Sequence, residues 1–202
     1  MDIKLNYRND SNDIAGSRIV IFQRNVAVDY EEIAVAWKVI QNCGSGEHHP
    51  FVFPILMQVD ASDIDGNFSQ RLDATNGNVF SLSEQPSGHQ LARTDEIGSP
   101  RELHVRNDLE YGAITCNVYK GTRLLATKRN VSPGEKGVFR FNPTIWIGVV
   151  SDVVEGELMD SAVITSVNTE ISLRGIESAD IVMAGGNNER YRFSLENVQR
   201  SQ

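Results

Sequence analysis

The chain has 202 residues, 40% of them hydrophobic and 23% charged, which is ordinary for a soluble globular protein. Its formal net charge of −8 argues against a nucleic-acid partner, because such binding relies on Lys and Arg side chains that neutralise phosphates. The same sign disfavours electrostatic attachment to anionic membranes. No stretch approaches the run of about 20 apolar residues that a transmembrane helix requires.

The N-terminus and the cysteines bear on the cellular compartment. Residues 1–8 lack the uninterrupted apolar core of a secretory signal, so we expect a cytoplasmic protein, or one exported without a classical signal peptide. The chain has two cysteines, Cys43 and Cys116. Two cysteines do not make a disulfide framework, so a reducing compartment is the default, and one disulfide or two free thiols both stay open.

Most segments, taken in chain order, are typical of short strands. Residues 3–7 alternate between apolar and polar, as in a strand covered on one face, and residues 18–23 are apolar on both faces, as in the interior of a sheet. Further β segments are predicted at residues 104–106, 114–119, 123–127, 137–141, 170–173, 180–183 and 190–195. Residues 185–188 (Gly-Gly-Asn-Asn) predict a hairpin turn, because these residue types tolerate positive φ.

One segment allows two interpretations. Asp29 and Glu32 have the spacing of a helix start, which would place Ile33, Ala36, Trp37 and Ile40 on one helical face. Alternation of apolar residues along the same segment fits a strand equally well. We favour a turn followed by a strand.

The same short motifs occur twice, in the same order along the chain. Gly46-Glu47 precedes a Phe-x-Phe motif at residues 51–53, and Gly134-Glu135 precedes another at residues 139–141. The other matched pairs are Arg8-Asn9-Asp10 with Arg106-Asn107-Asp108, residues 21–23 with 118–120, residues 36–38 with 126–128, and residues 62–63 with 151–152. This pattern predicts an all-β protein with low helix content, an antiparallel β-sandwich forming a single body over residues 1–202 with duplicated halves at about 2–97 and 101–198.

The loop at residues 43–49 is one candidate site. Cys43 lies close in sequence to His48 and His49, and imidazole proximity raises the thiolate fraction of a cysteine nucleophile. Glu47 with the two histidines is also a candidate metal site, although adjacent histidines in an extended chain point to opposite sides. The corresponding loop of the second copy has neither Cys nor His, so a solvated turn is the alternative interpretation.

A second candidate is a calcium loop. Asp60, Asp63 and Asp65 precede Gly66 with a spacing that resembles an oxygen-ligand loop, and calcium is therefore the candidate cofactor. Ala61 and Leu72 stand where the first Asp and the bidentate Glu of an EF-hand belong, so an EF-hand is disfavoured. The alternative is a polar turn built from Asp, Gly and Asn.

The two tryptophans are candidate ligand-binding residues. Trp37 and Trp146 lie in apolar segments, and an indole offers both apolar area and an N–H donor for stacking on a sugar ring or for anchoring in lipid. A core position is the commoner role of a tryptophan in such a run.

Two stretches carry a family resemblance. The first is Asn9-Asp10-Ser11 followed by residues 19–23 (IVIFQ) and Ala36-Trp37; the second is residues 142–148 (NPTIWIG) followed by residues 155–160 (EGELMD). They resemble the RhiA-type rhizosphere-expressed bacterial proteins over most of the chain, apart from residues 60–105. The resemblance implies a small soluble bacterial protein from a host- or plant-associated organism, and it brings no catalytic residues.

These observations favour a non-catalytic β-sandwich that acts in recognition or assembly, with a carbohydrate or protein ligand and with homo-oligomer formation left open. The first alternative is a membrane-active, toxin-like sandwich. The second is a hydrolase or metal site in the Cys43–His49 loop. The two copies agree at strand and turn residues, and the second copy has no counterparts of Cys43, His48, His49 and Trp37. Function is therefore expected where the halves differ or along the seam between them.

Overall fold

The protein is all-β. A computed structural model describes residues 2–27, 34–186 and 189–201, and within these ranges it has sixteen strands and one short helix, α1 (Ser161–Ser166). The predicted fold class, with antiparallel pairing dominant, is confirmed. Among the described residues, no helix combines the length and the apolar character that crossing a membrane would need.

The strands are short and closely spaced. In chain order they are β1 (Ile3–Asn9), β2 (Arg18–Phe22), β3 (Lys38–Ile40), β4 (His48–Phe53), β5 (Met57–Ser62), β6 (Leu72–Ala74), β7 (Asn78–Gln85), β8 (Gly88–Ile97), β9 (Leu103–Asn107), β10 (Ile114–Lys120), β11 (Arg123–Val131), β12 (Lys136–Phe139), β13 (Thr144–Val150), β14 (Thr169–Ser172), β15 (Ile176–Gly186) and β16 (Glu189–Arg200).

The chain divides into two compact units. Unit 1 comprises Met1–Arg24, Glu31–Ile55 and Pro143–Gln202, and unit 2 comprises Asn25–Tyr30 and Leu56–Asn142. These limits differ from those of the halves expected from the sequence, because each unit takes strands from both 2–97 and 101–198.

Unit 1 contains two four-stranded sheets, with strand orders β16-β15-β1-β4 and β14-β13-β2-β3. The pairing of β1 with β15 is parallel and the other pairings are antiparallel. Along β1 the odd-numbered residues are buried and the even-numbered residues lie on the opposite face, as the predicted alternation requires.

Strand β2 of unit 1 lies between β13 and β3 and is buried on both faces, as predicted. Its residues Val20 and Phe22 pack in a cluster with Ala34, Ala36 and buried residues between 153 and 167, including Ile164 of α1. Helix α1 is held at its start by Asp160, whose carboxylate accepts a hydrogen bond from the Val163 amide (2.8 Å).

Unit 2 also contains two four-stranded sheets, with strand orders β11-β10-β5-β6 and β12-β9-β7-β8. Here β7 and β9 are the parallel pair. The core is formed by side chains that are at most 1% exposed: Val59, Phe80, Val105, Val118 and Phe139.

The structure bears on three local features of the sequence. The pairing of β15 with β16 forms the predicted hairpin, with Gly185 and Gly186 both at φ +99°, while Asn187 and Asn188 lie outside the described residues. The alternative helix start at Asp29–Glu32 also lies outside them, and the segment that follows forms β3. Cys43 and Cys116 are both free and buried, so the two cysteines form no disulfide.

Candidate functional site

The two tryptophans differ in their surroundings. Trp37 is 1% exposed, and its ring packs edge-on against Phe53 with centroids 5.0 Å apart. It is a core residue, so the prediction that it presents a stacking platform is wrong. Trp146 is half-buried, and the Arg24 guanidinium lies 3.8 Å from its ring centroid, which covers one face of the indole.

The loop at residues 43–49 does not assemble a reactive group. Burial, and secondarily the nearby Glu47, raise the pKa of the Cys43 thiol, which disfavours the thiolate that a nucleophile needs. Glu47 is engaged within its own turn, where Oε2 accepts from the Gly44 amide (2.7 Å). Across β1 and β4, His48 lies opposite Arg8 and His49 opposite Tyr7, so the two imidazoles leave the strand on opposite faces.

Asp60 of the expected calcium loop lies in a different hydrogen-bonding arrangement from Asp63 and Asp65. Asp60 accepts from Asn117 Nδ2 (2.9 Å) on the neighbouring strand and pairs with Arg71 (3.6 Å). Asp63 Oδ1 accepts from the Asp65 amide (3.0 Å), which is a turn-forming bond. Within the described ranges, no three His, Cys, Asp or Glu side chains are grouped so that they could hold a metal ion. This part of the chain therefore matches the alternative of a polar turn.

A groove with both polar and apolar lining residues lies on the outer face of the unit 1 sheet that contains β1. We call it the Asp180 groove; its volume is about 540 Å³. Its polar lining residues are Lys4, Asn6, Ser178, Asp180, Asn197 and Gln199, and Pro50 and Val52 of β4 form an apolar border.

Strand pairing brings the groove residues together. Because the odd-numbered residues of β1 face the core, Lys4 and Asn6 lie on the outer face. The parallel register places Lys4 beside Ser178 and Asn6 beside Asp180. Between β15 and β16 the register shifts from Ser178↔Gln199 to Asp180↔Glu196, so Asn197 belongs to a β-bulge, with φ +50°.

Asp180 is the centre of the groove's hydrogen-bond network. It accepts from Asn197 Nδ2 (2.7 Å), Asn6 Nδ2 (3.0 Å) and Arg8 Nη1 (3.3 Å). The hydrogen bonds from Asn197 and Asn6 hold the pKa of Asp180 below its usual value despite partial burial, and the Arg8 charge adds to this effect. Asp180 is therefore a fixed carboxylate anion at neutral pH.

Neighbouring groups extend this network. Arg8 also pairs with Asp10 and Glu196, so one guanidinium holds three carboxylates. The Ser178 hydroxyl donates to Gln199 Oε1 (3.1 Å). Among the described residues, the buried oxygen Asn6 Oδ1 has no hydrogen-bond partner. The groove thus combines oriented amides, a hydroxyl, an ammonium group and a carboxylate.

These groups can bind a ligand through hydrogen bonds. The side chains that line the groove include neither a cysteine nor a histidine, and its central carboxylate has a lowered pKa, which is the reverse of what a general acid requires. Amides that both donate and accept, next to a charged acceptor, suit a ligand whose own groups do both.

Sequence reasoning did not find this groove. The only local signal was the alternation along β1, which marked Lys4 and Asn6 as outward-facing without giving them neighbours. Asn6 and Asp180 are 174 residues apart along the chain, and only the parallel pairing of β1 with β15 joins them.

Comparisons of the chain with models of protein families, with curated proteins and with solved structures yield no match. The resemblance to RhiA-type proteins therefore stays a prediction.

Proposed function

We propose that this protein is a non-catalytic recognition protein that binds a carbohydrate in the Asp180 groove. The observation that carries the proposal is a carboxylate fixed by three side-chain donors on the outer face of a sheet. With no relative to supply a substrate, the chemistry of this groove is the basis of the assignment.

Sugar hydroxyls match the groove because each hydroxyl donates one hydrogen bond and accepts others. Asp180 can accept from such a hydroxyl, while the Gln199 amide and Lys4 ammonium offer donors. The groove is shallow and most of its lining surface is apolar, so few hydrogen bonds are available and we expect weak binding, with dissociation constants on the order of 10 μM to 1 mM.

An extended peptide fits the β4 edge of this sheet less well. A peptide that adds a strand must bond to an unpaired edge, and β4 is an edge strand that carries Pro50, which has no N–H to donate. On the β4 side of the groove, a carbohydrate is therefore favoured over a peptide that adds a strand.

A membrane-active role is the second candidate, and it depends on residues other than the tryptophans. Three exposed side chains in loops of unit 2, Ile64 (75%), Phe68 (66%) and Tyr111 (78%), offer apolar area at neighbouring turns. Ile64 Cγ2 would lie 3.6 Å from a Cβ at Gly112, next to Tyr111, which places the two loops side by side. Asp65 and Glu110 are sequence neighbours of Ile64 and Tyr111, and their negative charge disfavours anionic lipid.

The test begins with a glycan array on the purified protein and continues with calorimetric titration of the best sugar. Asp180→Asn keeps the shape of the side chain but removes its charge, and we expect affinity to fall at least 10-fold, since a hydrogen bond to a charged group contributes about 1.5–3 kcal/mol. The matched control is Asp73→Asn in unit 2, an exposed carboxylate that also accepts from a side-chain amide, that of Gln58 (2.8 Å).

Two results would contradict the proposal. One is equal affinity of Asp180→Asn and the unchanged protein for the selected sugar. The other is an array without binding together with co-sedimentation of the protein with vesicles of neutral phosphatidylcholine, which would favour the membrane candidate. In that case Phe68→Ser should abolish the co-sedimentation.

A further inference from the structure

The two units follow the same plan of strand pairing. Adding or subtracting eight from each strand number converts the sheets of unit 1 into those of unit 2, so that β16-β15-β1-β4 becomes β8-β7-β9-β12. The single parallel pairing of each unit is preserved, because β1 with β15 becomes β9 with β7. The second sheet follows the same rule, and β2 with β13 becomes β10 with β5.

Equivalent buried asparagines make the same hydrogen bonds in the two units. Asn9 Nδ2 donates to the carbonyl oxygens of Asp13 (3.2 Å) and Cys43 (2.9 Å), and its Oδ1 accepts from the Ser11 amide (3.1 Å). Asn107 Nδ2 donates to the carbonyl oxygens of Gly112 and Val131 (both 2.9 Å), and its Oδ1 accepts from the Leu109 amide (3.1 Å). In both cases the side chain joins the end of one strand to two other segments of the chain by hydrogen bonds.

The glycine turns that follow are also equivalent. Gly46 has φ +82° and donates to the Asn9 carbonyl (2.7 Å), and Gly134 has φ +80° and donates to the Asn107 carbonyl (2.8 Å). The ion pairs agree as well, since Arg8 pairs with Glu196 and Arg106 with Glu96. The repeated motifs of the sequence therefore occupy matching places in the two units.

The equivalent strands do not lie in separate halves of the chain. The first four strands of each half pair with the last four strands of the other half: β1 and β2 pair with β15 and β13, while β9 and β10 pair with β7 and β5. We infer that residues 103–200 repeat residues 3–97 and that the two repeats have exchanged their second portions, so that each unit is a composite of both.

This arrangement defines an interaction surface and its partner. The edges of β1 and β2 that face β15 and β13 are completed by strands of the other repeat, and neither repeat alone forms a complete sheet. The partner that fits these edges is another copy of the same repeat. The chain is the single-chain form of a swapped dimer.

The two units differ in the residues at the positions equivalent to the Asp180 groove. By strand register, Asn6 and Asp180 of unit 1 correspond to His104 and Val79 of unit 2. A Cβ at Gly98 would lie 3.1 Å from Val79 Cγ2 and 3.5 Å from His104 Nδ1, so the connection between the repeats lies against this place in unit 2. The inference does not depend on the proposed carbohydrate function.

The first experiment cuts the intact chain between the repeats. A specific protease site is inserted between Pro100 and Arg101, both exposed in the connection from β8 to β9, and the folded protein is cleaved completely. We expect the two fragments to co-elute in size exclusion at the position of the uncut chain and to separate only in denaturant. Separate elution of two folded fragments would overturn the inference.

A second measurement needs no insertion. Ile147 of β13 and Val59 of β5 are fully buried and lie at equivalent places, opposite Ile21 and Val118. In native-state hydrogen exchange, Ile147→Ala should increase exchange in β1–β4 and leave β9–β12 unchanged, and Val59→Ala should do the reverse. If each variant instead affected only its own half of the sequence, the exchange of portions would be wrong.

Discussion

Replacement of Asn9 by alanine should destabilise the protein more than its small change in volume suggests. Asn9 is fully buried, and its side chain satisfies the carbonyl oxygens of Asp13 and Cys43 and the amide of Ser11. Asn9→Ala removes the side chain that bonds to these three backbone groups, and it leaves them buried without this hydrogen-bond partner.

The magnitude follows from these groups. A buried polar group that loses its partner destabilises the folded state by about 1–3 kcal/mol. When several neighbouring groups are affected, the summed loss is smaller than the sum of the single values, because the surrounding structure can relax or a water molecule can enter. With two carbonyls and one amide affected, we expect a loss of about 3–5 kcal/mol. Asn107→Ala removes the equivalent bonds in unit 2 and should have an effect of the same size.

Urea denaturation measures both variants. The two tryptophans, Trp37 and Trp146, belong to unit 1, so fluorescence reports on that unit while circular dichroism reports on the strands of both. Asn12→Ala, an exposed position three residues beyond Asn9, is the control and should change stability by less than about 0.5 kcal/mol. A loss below about 1 kcal/mol for Asn9→Ala would show that the buried hydrogen bonds do not act as described.

Three further outcomes are expected. Burial raises the pKa of Cys43, and raises that of Cys116 to about 12, so neither thiol should react with a thiol reagent at pH 8 until denaturant is added; rapid reaction of the native protein would contradict this. The pKa of Asp180 is lower in the folded state than in the unfolded chain. The ionised carboxylate therefore stabilises the folded state above the unfolded pKa of about 4, and this stabilisation is lost as the pH falls through the folded-state pKa. The urea midpoints at pH 6 and pH 3 should consequently differ less for Asp180→Asn than for the unchanged protein. A Cβ at Gly148 would lie 2.9 Å from Val167 Cγ2, so Gly148→Ala should destabilise by about 1–3 kcal/mol, and adding Val167→Ala should remove part of that penalty in a double-mutant cycle.

The residues of the Asp180 groove differ from those at the equivalent positions of unit 2, whereas residues that hold the fold are the same in both units. Residues that hold the fold, such as Asn9 with Asn107 and Gly46 with Gly134, are the same in both units. The groove residues Asn6 and Asp180 have His104 and Val79 at the equivalent places. The inferred repeats therefore differ in sequence at the Asp180 groove, and function was expected at such places.

Sequence patterns were informative wherever a strand has one or two buried faces. The alternation of β1 and the apolar run of β2 predicted both strands, because burial of a face requires apolar residues at the positions that point to it. The strands between residues 57 and 97 were not predicted. In β8, for example, Leu91 is buried while most neighbours are exposed, because β8 is an edge strand and its sequence carries little of the signal that burial imposes.

The sequence by itself determined the all-β class, the repeated turns and the face of β1 that points to the core. Only the tertiary structure decided which strands are neighbours, and with that the burial of Trp37, the separation of His48 from His49 and the meeting of Asn6 with Asp180. The physical reason is that side-chain periodicity reports burial along one strand, whereas pairing depends on edges contributed by strands far apart in the chain. The pairing of β1 with β15, rather than with a strand from the first half of the chain, increases that separation.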